Sequence, residues 1–318
     1  MSADAAAATA PVRRLVVIGV GLIGGSFALA LRAAGLVGEV VGIGRGQANL
    51  DDAKRLGIID RDVTLAGDWT RELSAADLVL IATPVAQYPA LLRAMAGKLG
   101  AATLLTDAGS TKQDVIAAAR AALGPGFARF VPAHPIAGTE HSGAAAAFAT
   151  LFRGRNVVLT PVGETDPGAV ARVGALWTRC GARVSTLAPD VHDRVFAAVS
   201  HLPHLLAFAL VDAFANRADS AEIFRFAASG FRDFTRIAAS SPEMWRDISL
   251  ANGPALLAEI AAFRAQLDRL TAMVAAGDGD ALCAVFAHAR AARRAWDAAR
   301  GPDRAVAADG PREPTAGE

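Results

Sequence analysis

The stretch RRLVVIGVGLIGGSFALALRAAG, residues 13–35, constrains the fold most, because a short β-branched run, a glycine turn and a helical run follow one another without a break. The same rhythm returns in EVVGIGR, DLVLIATP, TLLTDAG and RFVPAHP, with helical stretches between them, and NVVLTP and ARVSTLAP add late strands. Short continuous apolar runs alternating with helices are the pattern of parallel strands buried on both faces of a sheet. Beyond about residue 190 the rhythm gives way to helical patterns over 190–217, 219–229, 243–274 and 277–299, the third interrupted by Pro242 and by NGP at 252–254. A chain of 318 residues is long enough for two domains, and the change of rhythm divides it into 12–170 and 171–300. Residues 301–318, rich in proline and charge, read as a disordered tail.

Gly19, Gly21 and Gly24 form GxGxxG between the first strand and the first helix, with Leu22 and Ile23 between the last two glycines. Small residues at these points let backbone approach a pyrophosphate at the positive end of a helix, so a dinucleotide is expected; a ligand-free tight turn is the alternative. The second strand, where a carboxylate would hold both ribose hydroxyls of NAD, ends instead in Gly44 followed by Arg45. Without that carboxylate a 2'-phosphate is not repelled, and Arg45 can supply a counter-charge. NADP is modestly favoured and NAD stays open, since Asp51 and Asp52 are near. Thr83 and Pro84, after the DLVLIA strand, line the nicotinamide side or simply stiffen a loop.

The decapeptide HPIAGTEHSG, residues 134–143, holds two of the six histidines and follows a strand, at the sheet end where open α/β folds bind ligands. A neutral, oriented histidine there can take a proton from an alcohol as hydride leaves the same carbon. His134 is the first choice for that role, a backbone-satisfied loop histidine being the alternative, and His141 reads as exposed or supporting. DAGSTK, residues 107–112, ends the preceding strand and reaches the same crevice. In SHLPH, His201 and His204 share a helical face, as substrate partners or as core histidines; the spacings that zinc needs are absent, so no metal is expected. Arg232 and Arg236, four apart, suit an anionic substrate, and Phe231, Phe234 and Trp245 around them argue for partial burial.

Composition narrows the classes further. With 53% hydrophobic residues, 32 basic against 31 acidic side chains and no basic cluster, nothing suggests nucleic acid as a partner. Cys180 and Cys283 form no CxxC pair, the start is no signal peptide, and the apolar run 195–211 carries two histidines and a proline, which reads as a buried helix and not a membrane span. A cytoplasmic protein is expected.

Taken together, GVGLIGGS, TDAGSTK, HPIAGTEHSG, SHLPH and GFRDFTRIAASSPEMW resemble the prephenate dehydrogenase family, which includes arogenate and cyclohexadienyl dehydrogenases, in order and over about residues 14–290. The resemblance implies an α/β fold, a Rossmann-type mainly parallel sheet domain followed by an all-helical dimerisation domain. It implies oxidative decarboxylation of a small dicarboxylate, prephenate or arogenate, with NAD or NADP in tyrosine biosynthesis, and a homodimer. By position in the motifs, His134 resembles the family's catalytic histidine, Ser110 the serine that helps hold the ring hydroxyl and His134, and Arg236 the arginine on the ring carboxylate. His201 and His204 resemble pocket histidines, Glu140 a gating acid, and Arg232 and Trp245 groups near the substrate side chain. Two other readings remain: a hydroxy-acid dehydrogenase of the 3-hydroxyisobutyrate type, disfavoured because the helical half has no lysine, and a dinucleotide-binding redox sensor without turnover.

Overall fold

The computed structural model describes residues 10–139 and 141–300. The chain divides between Glu259 and Ile260 into two compact units. In the first, a parallel sheet has the order β3-β2-β1-β4-β5-β6, with β1 Val12–Ile18, β2 Val37–Gly44, β3 Arg61–Thr64, β4 Leu78–Ile81, β5 Leu104–Asp107 and β6 Phe130–Val131. Successive residues of β1 explain its run of apolar side chains: Leu15 and Val17 enter the core that holds Phe27, Phe152 and Trp177, while Val16 and Ile18 enter the opposite core around Tyr88, Leu92 and Phe130.

Helices α1 Leu22–Ala33, α2 Gln47–Arg55, α3 Tyr88–Met95 and α4 Gln113–Leu123 connect these strands. The strand order reverses direction between β1 and β4, and that is where an open parallel sheet leaves a crevice at its carboxyl ends. RFVPAHP does not form one strand. Pro132 has no N–H to give a ladder, so β6 stops at Val131 and the chain crosses into a second sheet, β7 Ala133–Pro135 antiparallel to β8 Asn156–Leu159, itself parallel to β9 Arg183–Thr186. The pair α5 Pro167–Arg179 and β9 thus carries strand pairing to Thr186, and residue 170 lies inside α5. The strand β3 has no counterpart in the sequence reading, because RDVT is short and polar and gives no period-two signal.

The helical segment from 189 follows as α6 Pro189–Phe196, a π turn Ala197–His201 and α7 Leu202–Ala215. Pro203 cannot donate to the carbonyl four residues back, which accounts for the widened turn before it. Expected as a buried helix, this stretch is mostly half-buried, with Val195 and Val199 exposed. By length and composition alone, Pro189–Ala215 passes as a membrane span. Asp193 nevertheless ties it to the rest of the unit: the carboxylate accepts from Lys112 and Gln113, and the carbonyl accepts from Asn252. Then come α8 Ser220–Arg225, α9 Ser229–Thr235, α10 Pro242–Ala251 and α11 Gly253–Ala276, Pro242 taking the first position of its helix as the interruption predicted. The second unit contains the rest of α11 and α12 Gly279–Arg300, with Leu267, Val274, Phe286 and Trp296 exposed.

The three glycines of the first turn differ in what they tolerate. Gly19 has φ +99°, and a Cβ there would lie 2.6 Å from the Ala82 carbonyl oxygen; one at Gly24 would meet the Gly19 carbonyl oxygen and lie 2.8 Å from Val17 Cγ1; one at Gly21 meets nothing within 4 Å. Gly24→Ala is therefore expected to lower stability by about 2 kcal/mol, and Gly21→Ala, which meets no atom and loses only the N-cap preference for glycine over alanine, by less, about 1 kcal/mol. Thermal melts of the two variants check this, and equal Tm values would contradict it.

Candidate active site

The glycine turn lies at the carboxyl end of β1, beside the end of β4, where Ala82 packs against Gly19 and Thr83 and Pro84 follow. Leu22 and Ile23 open α1, whose N-terminus has no side-chain cap. Uncapped amides, aligned with the helix dipole and fronted by the open space at Gly21, suit a pyrophosphate, so the residues present fit a dinucleotide. Gly44 ends β2 and Arg45 beyond it is exposed. The nearby carboxylates are engaged elsewhere: Asp51 accepts from Gln47 at 2.9 Å and Asp52 pairs with Arg55 at 2.9 Å. Asn49, which the sequence did not single out, ties the turn to the segment after His134, donating to the Val20 carbonyl at 2.7 Å and accepting from the Ala144 amide at 2.9 Å.

His134 is a residue of β7 and not of a loop, opposite Val158 of β8, and is 9% exposed. Its strand is fixed from below by a buried ion pair. Lys112 Nζ lies 2.5 Å from Asp107 Oδ2, both side chains fully buried. Asp107 Oδ1 also accepts from the Ala133 amide at 2.8 Å, and Lys112 Nζ donates to the Ala133 carbonyl at 2.8 Å. Both main-chain groups of the residue before His134 are thereby held.

The His134 ring has a partner that sequence reading missed. Its Nδ1 lies 2.9 Å from Nε2 of His192, and Nδ1 of His192 lies 2.9 Å from Asp193 Oδ1. Asp193 accepts the backbone N–H groups of Lys112 at 2.8 Å and Gln113 at 2.9 Å, capping the N-terminus of α4. Burial, the neighbouring His192 and the Lys112 ammonium push the His134 pKa well below the usual imidazole value. Burial lowers His192 as well, Asp193 partly opposing it. For Asp193 burial works upward, but the hydrogen bonds from His192 and the two amides outweigh it, and the carboxyl stays ionised.

A second buried histidine sits nearby. Asn252 Nδ2 donates to the Asp193 carbonyl at 2.7 Å and lies 3.1 Å from Nδ1 of His201. The carbonyl can only accept, so it fixes the amide orientation, and the other amide hydrogen faces His201 Nδ1. The proton of neutral His201 is then on Nε2, which is buried without a hydrogen-bond partner. Burial lowers the His201 pKa to about 4. Trp245 Nε1 is likewise a buried donor without a partner. Its ring stacks on His204 at 3.5 Å, and His204 donates from Nδ1 to the Ser200 carbonyl at 2.8 Å. Burial lowers the His204 pKa, and Arg236 is close enough to add to the effect.

The structure thus brings His134, His201, His204, Trp245 and Arg236 into one neighbourhood. The partial burial expected of the arginine pair is not found: Arg232 and Arg236 are both exposed, Arg232 with the Asp233 carboxylate 3.5 Å away and Arg236 at the start of a 3-10 turn. Phe234, expected to be partly buried, is exposed, while Phe231 stacks on Phe214 at 5.9 Å. Ser110 is half-buried at the end of β5 and makes no hydrogen bond to His134, whose ring is held by His192. His141 is exposed, and Glu140 lies outside the described residues. Among the described residues, no three His, Cys, Asp or Glu side chains converge as a metal site requires.

Comparisons with known proteins agree along the chain. Residues 27–186 match the model of the prephenate dehydrogenase nucleotide-binding domain, and residues 188–288 that of the prephenate dehydrogenase dimerization domain. The cyclohexadienyl dehydrogenase of Zymomonas mobilis is 37% identical over 285 residues, 89% of this chain and 96% of that enzyme. The prephenate dehydrogenase of Bacillus subtilis is 37% identical over 278 residues, 87% of this chain and 74% of the relative. Among solved structures, prephenate dehydrogenase from A. aeolicus, in complex with hydroxyphenyl propionate and NAD+, superposes with a TM-score of 0.83 at 34% identity, covering 89% of this chain and 97% of that one.

The buried neutral histidines link stability to pH. His201 has a usual value of 6.5 and about 4 in the fold, so the stability it contributes is present above pH ~6.5 and lost as pH falls toward 4, roughly 3 kcal/mol in all. His134 and His192 act in the same direction. Tm is expected to drop between pH 7 and 4, and His201→Gln to flatten that drop. Parallel melting curves for variant and parent across this range would contradict the assignment.

Proposed function

The chain belongs to the prephenate dehydrogenase family, and on that premise we propose that it oxidatively decarboxylates prephenate to 4-hydroxyphenylpyruvate, or arogenate to tyrosine, in tyrosine biosynthesis. One observation carries this reading: a buried neutral histidine, His134, stands near a second, His201, whose Nε2–H has no partner. An orphaned donor of that kind is costly unless a ligand oxygen satisfies it.

His134 takes the proton of the ring hydroxyl as hydride leaves the same carbon, which becomes a ketone conjugated to the ring. The ring carboxylate departs as carbon dioxide, its bonding electrons pass into the ring, and the ketone oxygen is protonated to give the phenol. Arg236 holds that carboxylate, firmly enough to orient it and loosely enough to let it leave. His201, His204 and Trp245 bind the substrate, with Ser110 at the hydroxyl, and Glu140 and Arg232 are assigned to the entrance and the side-chain end. When bound, the dinucleotide supplies the hydride acceptor. Gly19, Gly21, Leu22, Ile23 and Gly24 hold its pyrophosphate, with Thr83 and Pro84 on the nicotinamide side and Gly44 and Arg45 at the adenosine ribose. The engagement of Asp51 and Asp52 with Gln47 and Arg55 supports NADP over NAD. Nucleotide binding falls to the sheet-bearing part and substrate binding and dimerisation to the helices; the exposed Leu257, Leu267, Val274 and Phe286 favour a homodimer.

Absorbance at 340 nm, with NAD and NADP each paired with prephenate and arogenate, tests the reading. Turnover in at least one pairing is expected, and silence in all four from folded protein would overturn it. His134→Asn should lower kcat about 100-fold or more with little change in dinucleotide affinity. Arg236→Gln should raise KM for the dicarboxylate about tenfold. Gly44→Asp should move kcat/KM toward NAD, and an unchanged cofactor ratio would remove that position from the choice.

A further inference from the structure

The chain His134, His192, Asp193 is a buried polar cluster beside the site to which the proposed reaction assigns nothing beyond its first member. We propose that His192, held by Asp193, is a positioning residue that keeps the proton of His134 on Nδ1 and leaves His134 Nε2 bare to accept the substrate hydroxyl. The inference rests on the dehydrogenase reading for its consequence in turnover, but not for the tautomer itself.

The polarity follows from the ends of the chain. The Asp193 carboxylate accepts two backbone N–H groups, so it is fixed as an acceptor, and the atom facing it, His192 Nδ1, must be the donor. A neutral imidazole has one N–H, which leaves His192 Nε2 as an acceptor. The atom 2.9 Å from it, His134 Nδ1, must then carry a hydrogen, and a neutral His134 has none left for Nε2. Neutrality of both rings agrees with their burial, His192 being fully buried. The groups around the pair are accounted for. The Lys112 ammonium is committed to Asp107 and the Ala133 carbonyl, His201 Nδ1 faces Asn252, and Phe196 packs against both rings, at 4.7 Å from His134 and 4.5 Å from His192. None of these gives His134 Nδ1 another acceptor.

When His134 Nε2 takes the hydroxyl proton the ring becomes a cation, with one N–H toward the bound oxygen and the other toward His192. His192 Nε2, with the Asp193 carboxylate behind it, then accepts from the charged ring and keeps it oriented, while burial and the Lys112 charge oppose the cation. No proton has to leave His134 for this to hold, and the Asp193 carboxylate stays ionised throughout.

The test combines a spectroscopic reading with kinetics on the full-length protein. Nitrogen NMR of protein labelled at the histidine ring nitrogens, with His134→Asn used to assign the resonances, is expected to show His134 with a protonated Nδ1 and a bare Nε2 near pH 7. The opposite tautomer would overturn the inference even in an active enzyme. His192→Leu removes the acceptor, and His192→Gln restores an oxygen that can face His134 Nδ1. The leucine variant should show mixed His134 tautomers and a kcat roughly 100-fold lower with KM within about threefold; the glutamine variant should regain the Nδ1–H form and most of the lost kcat. Parent-like kcat in the leucine variant, or a loss that glutamine does not repair although both variants melt and bind dinucleotide like the parent, would overturn it. Should the parent turn over neither prephenate nor arogenate while His134 shows the expected tautomer, the functional reading fails and the polarity of the chain stands.

Discussion

The polar groups of this site take their direction from Asp193. Its carboxylate is fixed as an acceptor by two amides at the start of α4 and faces His192; its carbonyl fixes Asn252, which faces His201. Buried hydrogen-bonding groups have few ways to be satisfied, so once one end of a chain is pinned every member along it is determined. One residue near the start of a helical segment therefore sets two histidines that lie on different elements. It also ties the apolar segment Pro189–Ala215 to the sheet-bearing part through hydrogen bonds, beside the buried Phe196, Ala197, Leu202 and Ala207.

Asp193 can do this only if the end of α4 is itself immobile, and that depends on Lys112 and Asp107. A lysine with no access to water must have an anion and further acceptors, because an isolated ammonium in that environment would lose its charge. Here Asp107 supplies the anion and the Ala133 carbonyl the second acceptor. Replacing either partner alone leaves a buried charge unpaired, which costs several kcal/mol, so the pair is an expensive way to gain stability. What it achieves geometrically is a single clamp on three segments: the end of β5, the start of α4 and the residue that precedes His134.

Much of the framework was legible because it is written in local patterns. The alternation of buried runs and helices gave the parallel sheet, GxGxxG gave the turn with its open middle glycine, and the family motifs gave His134, His201, His204, Arg236 and Trp245 as candidates that the fold gathers. What escaped lies in pairings between distant positions. His192 is 58 residues from His134 and sits in PDVHDRVF, at the start of a stretch whose pattern shows only a helix. The only hint was that a His-Asp pair falls on its apolar side with Phe196, a face on which polar groups need partners. Asn252 looked like a helix breaker in NGP, and its amide proved more informative than the break. The arginines mark the reverse error: their aromatic neighbours suggested partial burial, and both side chains are exposed where α9 gives way to a 3-10 turn.

The two histidines are set to opposite polarities. His201, facing an amide N–H, keeps its own hydrogen on Nε2 and can only donate from there; His134, facing the His192 that Asp193 orients, keeps Nε2 bare and can only accept. A ligand that satisfies both must present a hydroxyl to one and an oxygen acceptor to the other. Simple anions offer no donor, and plain alcohols offer no charge to suit the nearby Arg236. A hydroxylated carboxylate meets both demands, and it does so only while both rings are neutral, which the burial of each secures near neutral pH. Burial that would be a penalty in a structural histidine is here the condition for discrimination, since protonation of either ring would add a second N–H and erase the difference between them.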